Sequence, residues 1–191
     1  MKFLRYNVGM KNLVLASASP RRKALLERAG VKFTIKKSNF EESNGSASAD
    51  ETARANAFGK ASGVVCAEDE VILGADTVVA LDGEIFGKPA TRDEAFSMLK
   101  KLSGRVHSVI TGVALVSREK SVVNSCLTRV SFANLTDEQI FSYIDEFKPF
   151  DKAGAYGIQE LPTFFETEIE GSFDNVVGLP VELVLQMLND F

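Results

Sequence analysis

The run Val71-Ile72-Leu73-Gly74-Ala75-Asp76-Thr77-Val78-Val79 is apolar on both sides of one carboxylate, as expected of a strand buried in the middle of a sheet. Taking a carboxylate out of water costs several kcal/mol unless a cation or metal meets it. Asp76 is therefore either structural, capping a strand end or held by backbone amides, or chemical. The chemical roles open to it are general base and ligand to a hard divalent cation. Glu41 and Glu42, adjacent in a polar stretch, are candidate second ligands, although acidic pairs on surface loops often have no such task.

A second group of residues is cationic. Arg21 and Arg22 follow Leu13-Val14-Leu15-Ala16-Ser17-Ala18-Ser19-Pro20, an apolar run that breaks into small hydroxylated residues and then turns helical. Pro20 suits the first helical position and Ser19 the N-cap, so a strand here feeds a helix N-terminus, where free amides and the dipole favour an anion. Two arginines in the first turn oppose that dipole. This local cost points to an anionic partner, since guanidinium forks match phosphate; the alternative is a capped helix with two solvated arginines. Lys60, Lys88 and Lys152 are ordinary surface lysines taken singly. Gathered with Arg21 and Arg22, they would form a cationic ring suited to a polyphosphate.

Several chemistries are excluded. Gly83-Glu84-Ile85-Phe86-Gly87-Lys88 is one residue short of a phosphate-binding loop of the Walker type, and Pro89 stands where Ser or Thr is required. The single histidine, His107, leaves little for a histidine metal site or a Ser-His-Asp triad, and it reads as a structural or surface residue. The net charge of −4 argues against duplex nucleic acid as a partner. No apolar run approaches a membrane span, and the two cysteines, Cys66 and Cys126, match no metal or redox spacing. A reduced, cytoplasmic setting follows.

The elements that must position these groups alternate between strand and helix. Strands are expected at 33–37 and 71–79, and Asp82-Gly83 makes a hairpin turn into 84–86. Residues 38–49 read as a loop. Helices start at capping boxes beginning with Ser48, Thr91 and Thr136 and end near Gly63, Gly104 and Phe147. Residues 106–116 and 121–132 form an antiparallel hairpin. Residues 151–159 read as a loop that becomes extended, 164–170 as a strand, and a last helix runs from Leu179-Pro180 to about Asn189. Early alternation with an antiparallel pair in the middle gives an α/β domain, bordering on α+β, on one mixed sheet. The domain covers 1–191, with 1–12 as an extension.

Taken together and in order, several blocks resemble the Maf proteins, house-cleaning nucleoside triphosphate pyrophosphatases. They are Ser17-Ala18-Ser19-Pro20-Arg21-Arg22, Ala57-Phe58-Gly59-Lys60-Ala61, Gly74-Ala75-Asp76-Thr77, Gly87-Lys88-Pro89, Leu102-Ser103-Gly104-Arg105-Val106-His107, Thr111-Gly112-Val113, residues 151–159, and Asn175-Val176-Val177-Gly178-Leu179-Pro180. The resemblance implies an elongated domain on a strongly twisted mixed sheet flanked by helices, akin to inosine triphosphate pyrophosphatases, and a homodimer. It implies hydrolysis of a nucleoside triphosphate to the monophosphate and pyrophosphate with Mg²⁺ or Mn²⁺. Asp76 would accept the proton of water and hold the metal with Glu41 or Glu42. Arg21, Thr77 and Gln159 fall at positions associated with substrate choice, and Lys60 and Lys88 at phosphate-site lysines. Ser17, Arg22 and Lys152 complete the expected substrate-binding set.

The run 151–159 resembles the branch acting on dTTP and UTP rather than the one acting on 7-methyl-GTP. The Gln159 amide has both a donor and an acceptor for the imide edge of thymine or uracil, but it can also flip, so by itself it admits cytosine. Departures from the family pattern are Ala18, Phe173 in place of Tyr, and the extension. Two rival readings stand beside this one. The first is a broader pyrophosphatase that also takes CTP; the second is a nucleotide-binding regulator of division or septum formation with little hydrolysis.

Overall fold

The computed structural model describes residues 11–43 and 48–191. Most of the N-terminal extension and part of the loop before the second helix therefore lie outside the described residues. Asn12 already belongs to the first strand.

The strands are β1 (Asn12–Leu15), β2 (Thr34–Ile35), β3 (Glu70–Leu81), β4 (Glu84–Phe86), β5 (Val106–Val116), β6 (Ser121–Ser131) and β7 (Glu168–Glu170). The helices are α1 (Pro20–Arg28), α2 (Ala49–Ser62), α3 (Arg92–Leu102), α4 (Asp137–Phe147), α5 (Phe173–Val177) and α6 (Val181–Asp190). The strands form one seven-stranded mixed sheet in the order β2-β1-β3-β5-β6-β7, with β4 added to β3. β1 runs parallel to β2 and to β3; β4, β5, β6 and β7 pair antiparallel. The mixed sheet flanked by helices agrees with the sequence reading.

Strand alternation divides the core. Leu13, Leu15, Val71, Leu73, Ala75, Val113 and Leu115 face α1 and α6. Farther along the same face, Val79, Leu81, Val109 and Val130 pack with α3, α4 and the aromatic side chains of Phe132, Tyr156 and Phe165. Val14, Ile72 and Ala114 face the other way, onto Ala57 and Ala61 of α2. That helix lies unusually close to the sheet, because Gly74 and Gly112 present no side chain to it. A Cβ at Gly74 would strike the carbonyl oxygen of Ala57, and one at Gly112 that of Ala53.

β3 is paired with β5 along residues 72–80. On its other edge β1 covers residues 70–73 and β4 covers 79–81, so no described strand pairs with residues 74–78 there. This break in the sheet edge contains Asp76 and Thr77.

The caps follow the sequence closely. Ser19 accepts from the Arg22 amide, and Gly30, just past α1, has φ 71°. Ser48 and Thr136 close full capping boxes. Thr91 caps α3 alone, because the Glu94 carboxylate reaches back to the Ala90 amide instead.

Four segments differ from the sequence reading. The strand at 33–37 shrinks to Thr34–Ile35 at the sheet edge. Residues 151–159 do not extend: they form 3-10 turns at Ala153–Ala155 and Ile158–Glu160, with Gly154 and Ala155 at positive φ. Of 164–170 only Glu168–Glu170 pairs, because Phe165 turns inward in a 3-10 turn to fill the core between Phe132 and Tyr143. The short helix α5, capped by Ser172, has too few residues for its periodicity to be read.

His107 is buried on β5. Its Nε2 lies 2.8 Å from the Tyr156 hydroxyl and its Nδ1 has no partner. Burial lowers its pKa from 6.5 to about 4.

Two predictions follow from this packing. Gly112→Ala forces α2 off backbone that cannot yield, at a cost of about 3 kcal/mol, the upper end for overpacking. For a chain of this size that lowers Tm by roughly 6–12 °C in a thermal melt; a fall of 1 °C or less would mean that α2 is not held against the sheet. For His107, the folded pKa lies below the unfolded one, so the unfolded chain binds the extra proton. Its contribution is full above about pH 6.5 and falls by up to about 3 kcal/mol as the pH drops to about 4. Denaturant unfolding between pH 7 and 4.5 should show a steeper loss in the wild type than in His107→Gln, and equal slopes would refute it.

Candidate active site

A cleft of about 370 Å³ opens at the break in the β3 edge. Its lining brings together residues distant in sequence: Asp76 and Thr77 of β3, Ser17, Arg21 and Arg22 around the start of α1, and Lys60 of α2. Glu42, Lys88 after β4, and Lys152 and Gln159 from the 3-10 turns complete it. Glu41, by contrast, is not part of the lining.

Asp76 is almost fully buried, and both of its oxygens are held from α2. Lys60 Nζ donates to Oδ1 at 2.5 Å, and Asn56 Nδ2 donates to Oδ2 at 3.0 Å. A carboxylate offers about four lone-pair sites, so these two bonds fix its orientation and leave others to face the cleft. Asn56 has no place in the sequence reading. The signal was there: it lies four residues before Lys60, on the helix face otherwise made of Ala53, Ala57 and Ala61, and residues so spaced point the same way.

Lys60 has a second anionic partner. Glu42 Oε1 lies 2.6 Å from its Nζ, and Glu42 Oε2 lies 2.9 Å from Lys88 Nζ. Burial alone would raise the Glu42 pKa, but the hydrogen bonds from Lys60 and Lys88 outweigh it and bring the carboxyl down to about 2. The loop carrying Glu42 is pinned to α2 on both sides: the Phe40 ring lies against Gly59 where a side chain would stand, and the Ser43 main chain exchanges two hydrogen bonds with the Asn56 amide.

The two arginines of α1 diverge. Arg21 donates to Asp151 at 2.9 Å. Asp151 also accepts from Lys152 at 2.8 Å. Desolvation opposes ionisation of Asp151, yet these two donors hold its pKa near 2. Arg22 turns inward. Its Nε donates to the Gly178 carbonyl at 2.8 Å, Nη2 to Thr77 Oγ1 at 3.2 Å and Nη1 to Ser17 Oγ at 3.4 Å. Burial lowers its pKa, and the charges of Asp76 and Glu42 counter that shift. The guanidinium thus ties α1 to β3 and to the turn after α5. Behind Thr77 lie Thr111 of β5 and Asn175 of α5, both fully buried; each falls in a block that carries the family resemblance, but neither residue's type assigns it a role in the cleft.

As to metals, among the described residues no three His, Cys, Asp or Glu side chains cluster in a metal-holding arrangement. The oxygens of Asp76 and Glu42 nevertheless converge on one ammonium, so the cleft holds a point where two carboxylates already share a cation. Two hard oxygen donors beside room for a phosphate fit a divalent cation of the Mg²⁺ type, which commonly takes one or two carboxylates and completes its shell with water and substrate oxygens. No helix among the described residues is long and apolar enough to cross a membrane.

Comparison with known proteins agrees with this architecture. The chain is 45% identical over 184 residues to the dTTP/UTP pyrophosphatase of Bacillus cereus strain G9842, covering 95% of this chain and 96% of that one. It is 46% identical over 184 residues to the dTTP/UTP pyrophosphatase of Bacillus cytotoxicus, with the same coverage. Among solved structures, the HAM1 protein from Coxiella burnetii superposes with a TM-score of 0.50 at 18% identity, over 95% of this chain and 100% of that one. The Staphylococcus aureus Ham1 protein does so with a TM-score of 0.50 at 16% identity, over 94% and 99%. These two share the fold. The family model for Maf-like proteins matches residues 12–191, and the chain belongs to that family.

Proposed function

We propose that this protein is a nucleoside triphosphate pyrophosphatase that hydrolyses dTTP and UTP to the monophosphate and pyrophosphate. The observation that carries the reading is the buried Asp76 carboxylate, fixed by Lys60 and Asn56 at the floor of a cleft that also presents Lys88, Arg21 and Lys152. The names of the 45% identical relatives point to the same substrates.

In this reading the triphosphate lies along the lysines. Its charge competes with Glu42 for Lys60 and Lys88. Asp76 and Glu42 would hold a divalent cation, Mg²⁺ or Mn²⁺, which when bound would supply Lewis-acid neutralisation of the phosphate charge. Asp76 accepts the proton of the attacking water as its oxygen bonds to the α-phosphorus, and the bond from that phosphorus to the bridging oxygen breaks. The leaving pyrophosphate takes the electron pair, and Lys60 and Lys88 offset the charge that develops on it. Arg22 keeps Ser17 and Thr77 in place, and Gln159 faces the base. The two free cysteines support a reducing, cytoplasmic setting, and the family resemblance implies a homodimer.

The test is pyrophosphate release from dTTP, UTP, CTP, dCTP, GTP and 7-methyl-GTP with Mg²⁺ or Mn²⁺. Turnover confined to dTTP and UTP is expected; tight binding without turnover would make the protein a nucleotide-binding regulator instead. Asp76→Asn should lower turnover by about 10²–10⁴ while circular dichroism shows the fold kept, and near-wild-type turnover would remove Asp76 from its role. Glu42→Gln should raise the half-saturating Mg²⁺ concentration roughly tenfold, the usual scale for a lost ligand contact. An unchanged requirement would take Glu42 out of the cation site.

A further inference from the structure

Neighbouring residues of a strand point to opposite faces of the sheet, so Asp76 and Thr77 look into different parts of the cleft. Asp76 faces α2 and its lysine. Thr77, partly exposed, faces the other way, toward a wall that includes Ile158, Val176 and Val177. The charged side suits phosphates and the apolar side suits a base.

The hydrogen bonds of Thr77 have a direction. Its Oγ1 accepts from Arg22 Nη2 at 3.2 Å, lies 3.0 Å from Thr111 Oγ1, and lies 3.4 Å from the Gly178 carbonyl. Thr111 Oγ1 in turn is 3.0 Å from the main-chain carbonyl of Asn175. A hydroxyl has one proton and two lone pairs, so two arrangements satisfy this chain. In one, Thr77 donates to Thr111 and Thr111 donates to Asn175, each over 3.0 Å. In the other, Thr111 donates to Thr77 and Thr77 donates to the Gly178 carbonyl over 3.4 Å, onto an oxygen that already accepts from Arg22 at 2.8 Å. The shorter, uncrowded arrangement is favoured. Neither leaves Thr77 a proton for the cleft, and the favoured one leaves it a single lone pair there.

We propose that Thr111 is a specificity-determining positioning residue: it takes the proton of Thr77 and so presents the ligand with a hydroxyl that can only accept. This deepens the reading of the cleft as a pyrimidine nucleotide site and rests on it. Phosphate oxygens are acceptors and gain nothing from such a group. The donors common to dTTP and UTP are the base N3–H and the sugar 3′-hydroxyl, and on the apolar side the partner is N3–H. Cytosine carries a lone pair at N3, which the Thr77 oxygen repels. Gln159, whose amide can reverse, cannot make this distinction by itself; a hydroxyl locked from behind can.

The test compares equilibrium binding of UMP, CMP and N3-methyl-UMP to the wild type, Thr111→Val and Thr111→Ser, with pyrophosphate release from UTP and CTP measured alongside. The wild type should prefer UMP over both CMP and N3-methyl-UMP by a factor on the order of 10–100, the scale of one buried polar group left unpaired. Thr111→Val, which removes the acceptor at 3.0 Å and leaves the Thr77 proton to choose between the ligand and the already occupied Gly178 carbonyl at 3.4 Å, should shrink the UMP:CMP ratio at least about fivefold, and Thr111→Ser should restore it. A merely structural role would weaken both ligands together and leave the ratio unchanged, which overturns the proposal. Equal wild-type affinity for UMP and N3-methyl-UMP overturns it as well, and that measurement stands even if Thr111→Val fails to fold. A kept UMP preference without pyrophosphate release supports the proposal and sinks the hydrolytic reading. Normal release without the preference does the reverse.

Discussion

A carboxylate in the middle of an apolar strand needs a partner within hydrogen-bond reach, and most of this architecture serves that need. Lys60 and Asn56 reach Asp76 only because α2 lies almost on the backbone of β3 and β5. Gly74 and Gly112 remove the side chains that would hold the helix away, and Ala53, Ala57 and Ala61 keep its inner face thin. The ammonium is itself mostly buried, so it too must be answered; Asp76 and Glu42 do so from two sides. Breaking such a buried pair by removing one member is far costlier than the net worth of the pair. The charged residues of the cleft are therefore a mutually dependent set.

The strand that carries Asp76 also separates two chemistries. Toward α2 the cleft is ionic, with Asp76, Lys60, Glu42 and Lys88 joined in one chain of ion pairs. Toward α5 it is a network of neutral oxygens ordered by one guanidinium, with Arg22 tying Ser17, Thr77 and the Gly178 carbonyl together. A ligand with a highly charged end and a flat, uncharged end can use both sides at once, and the break in the sheet edge is what lets it lie across the strand.

What the sequence disclosed depended on how local the signal was. Helix starts were legible because an N-cap and its partner lie three residues apart, and the β5–β6 hairpin because both strands are long and rich in β-formers. The apolar run around Asp76 marked a central strand for the same reason. The turns at 151–160 were misread because their shape comes from packing against β3, where Gly154 lies on the Val79 side chain, rather than from local pattern. Phe164 and Phe165 have strand-like propensity, yet the core takes Phe165 out of the ladder. In the cleft, charged residues stood out by type, whereas Asn56, Thr111 and the Asn175 carbonyl matter only through what they touch. Of the acidic pair, nothing local distinguishes Glu42 from Glu41; the loop's path over α2, set by Phe40 on Gly59 and by the Ser43 main chain on Asn56, turns Glu42 toward the lysines.

The gap beside residues 74–78 has one more consequence. An unpaired strand edge is a template on which other chains can add, and proteins usually blunt such edges with charge, proline or a covering element. Here β1 and β4 close the edge on either side of the opening, and four of the five residues between them, Gly74, Ala75, Asp76 and Val78, are buried. A foreign chain would have to enter between two paired segments to reach that backbone, while a small molecule needs only the cleft. The protein can thus interrupt the pairing of its central strand without offering the long, open edge on which another copy could add.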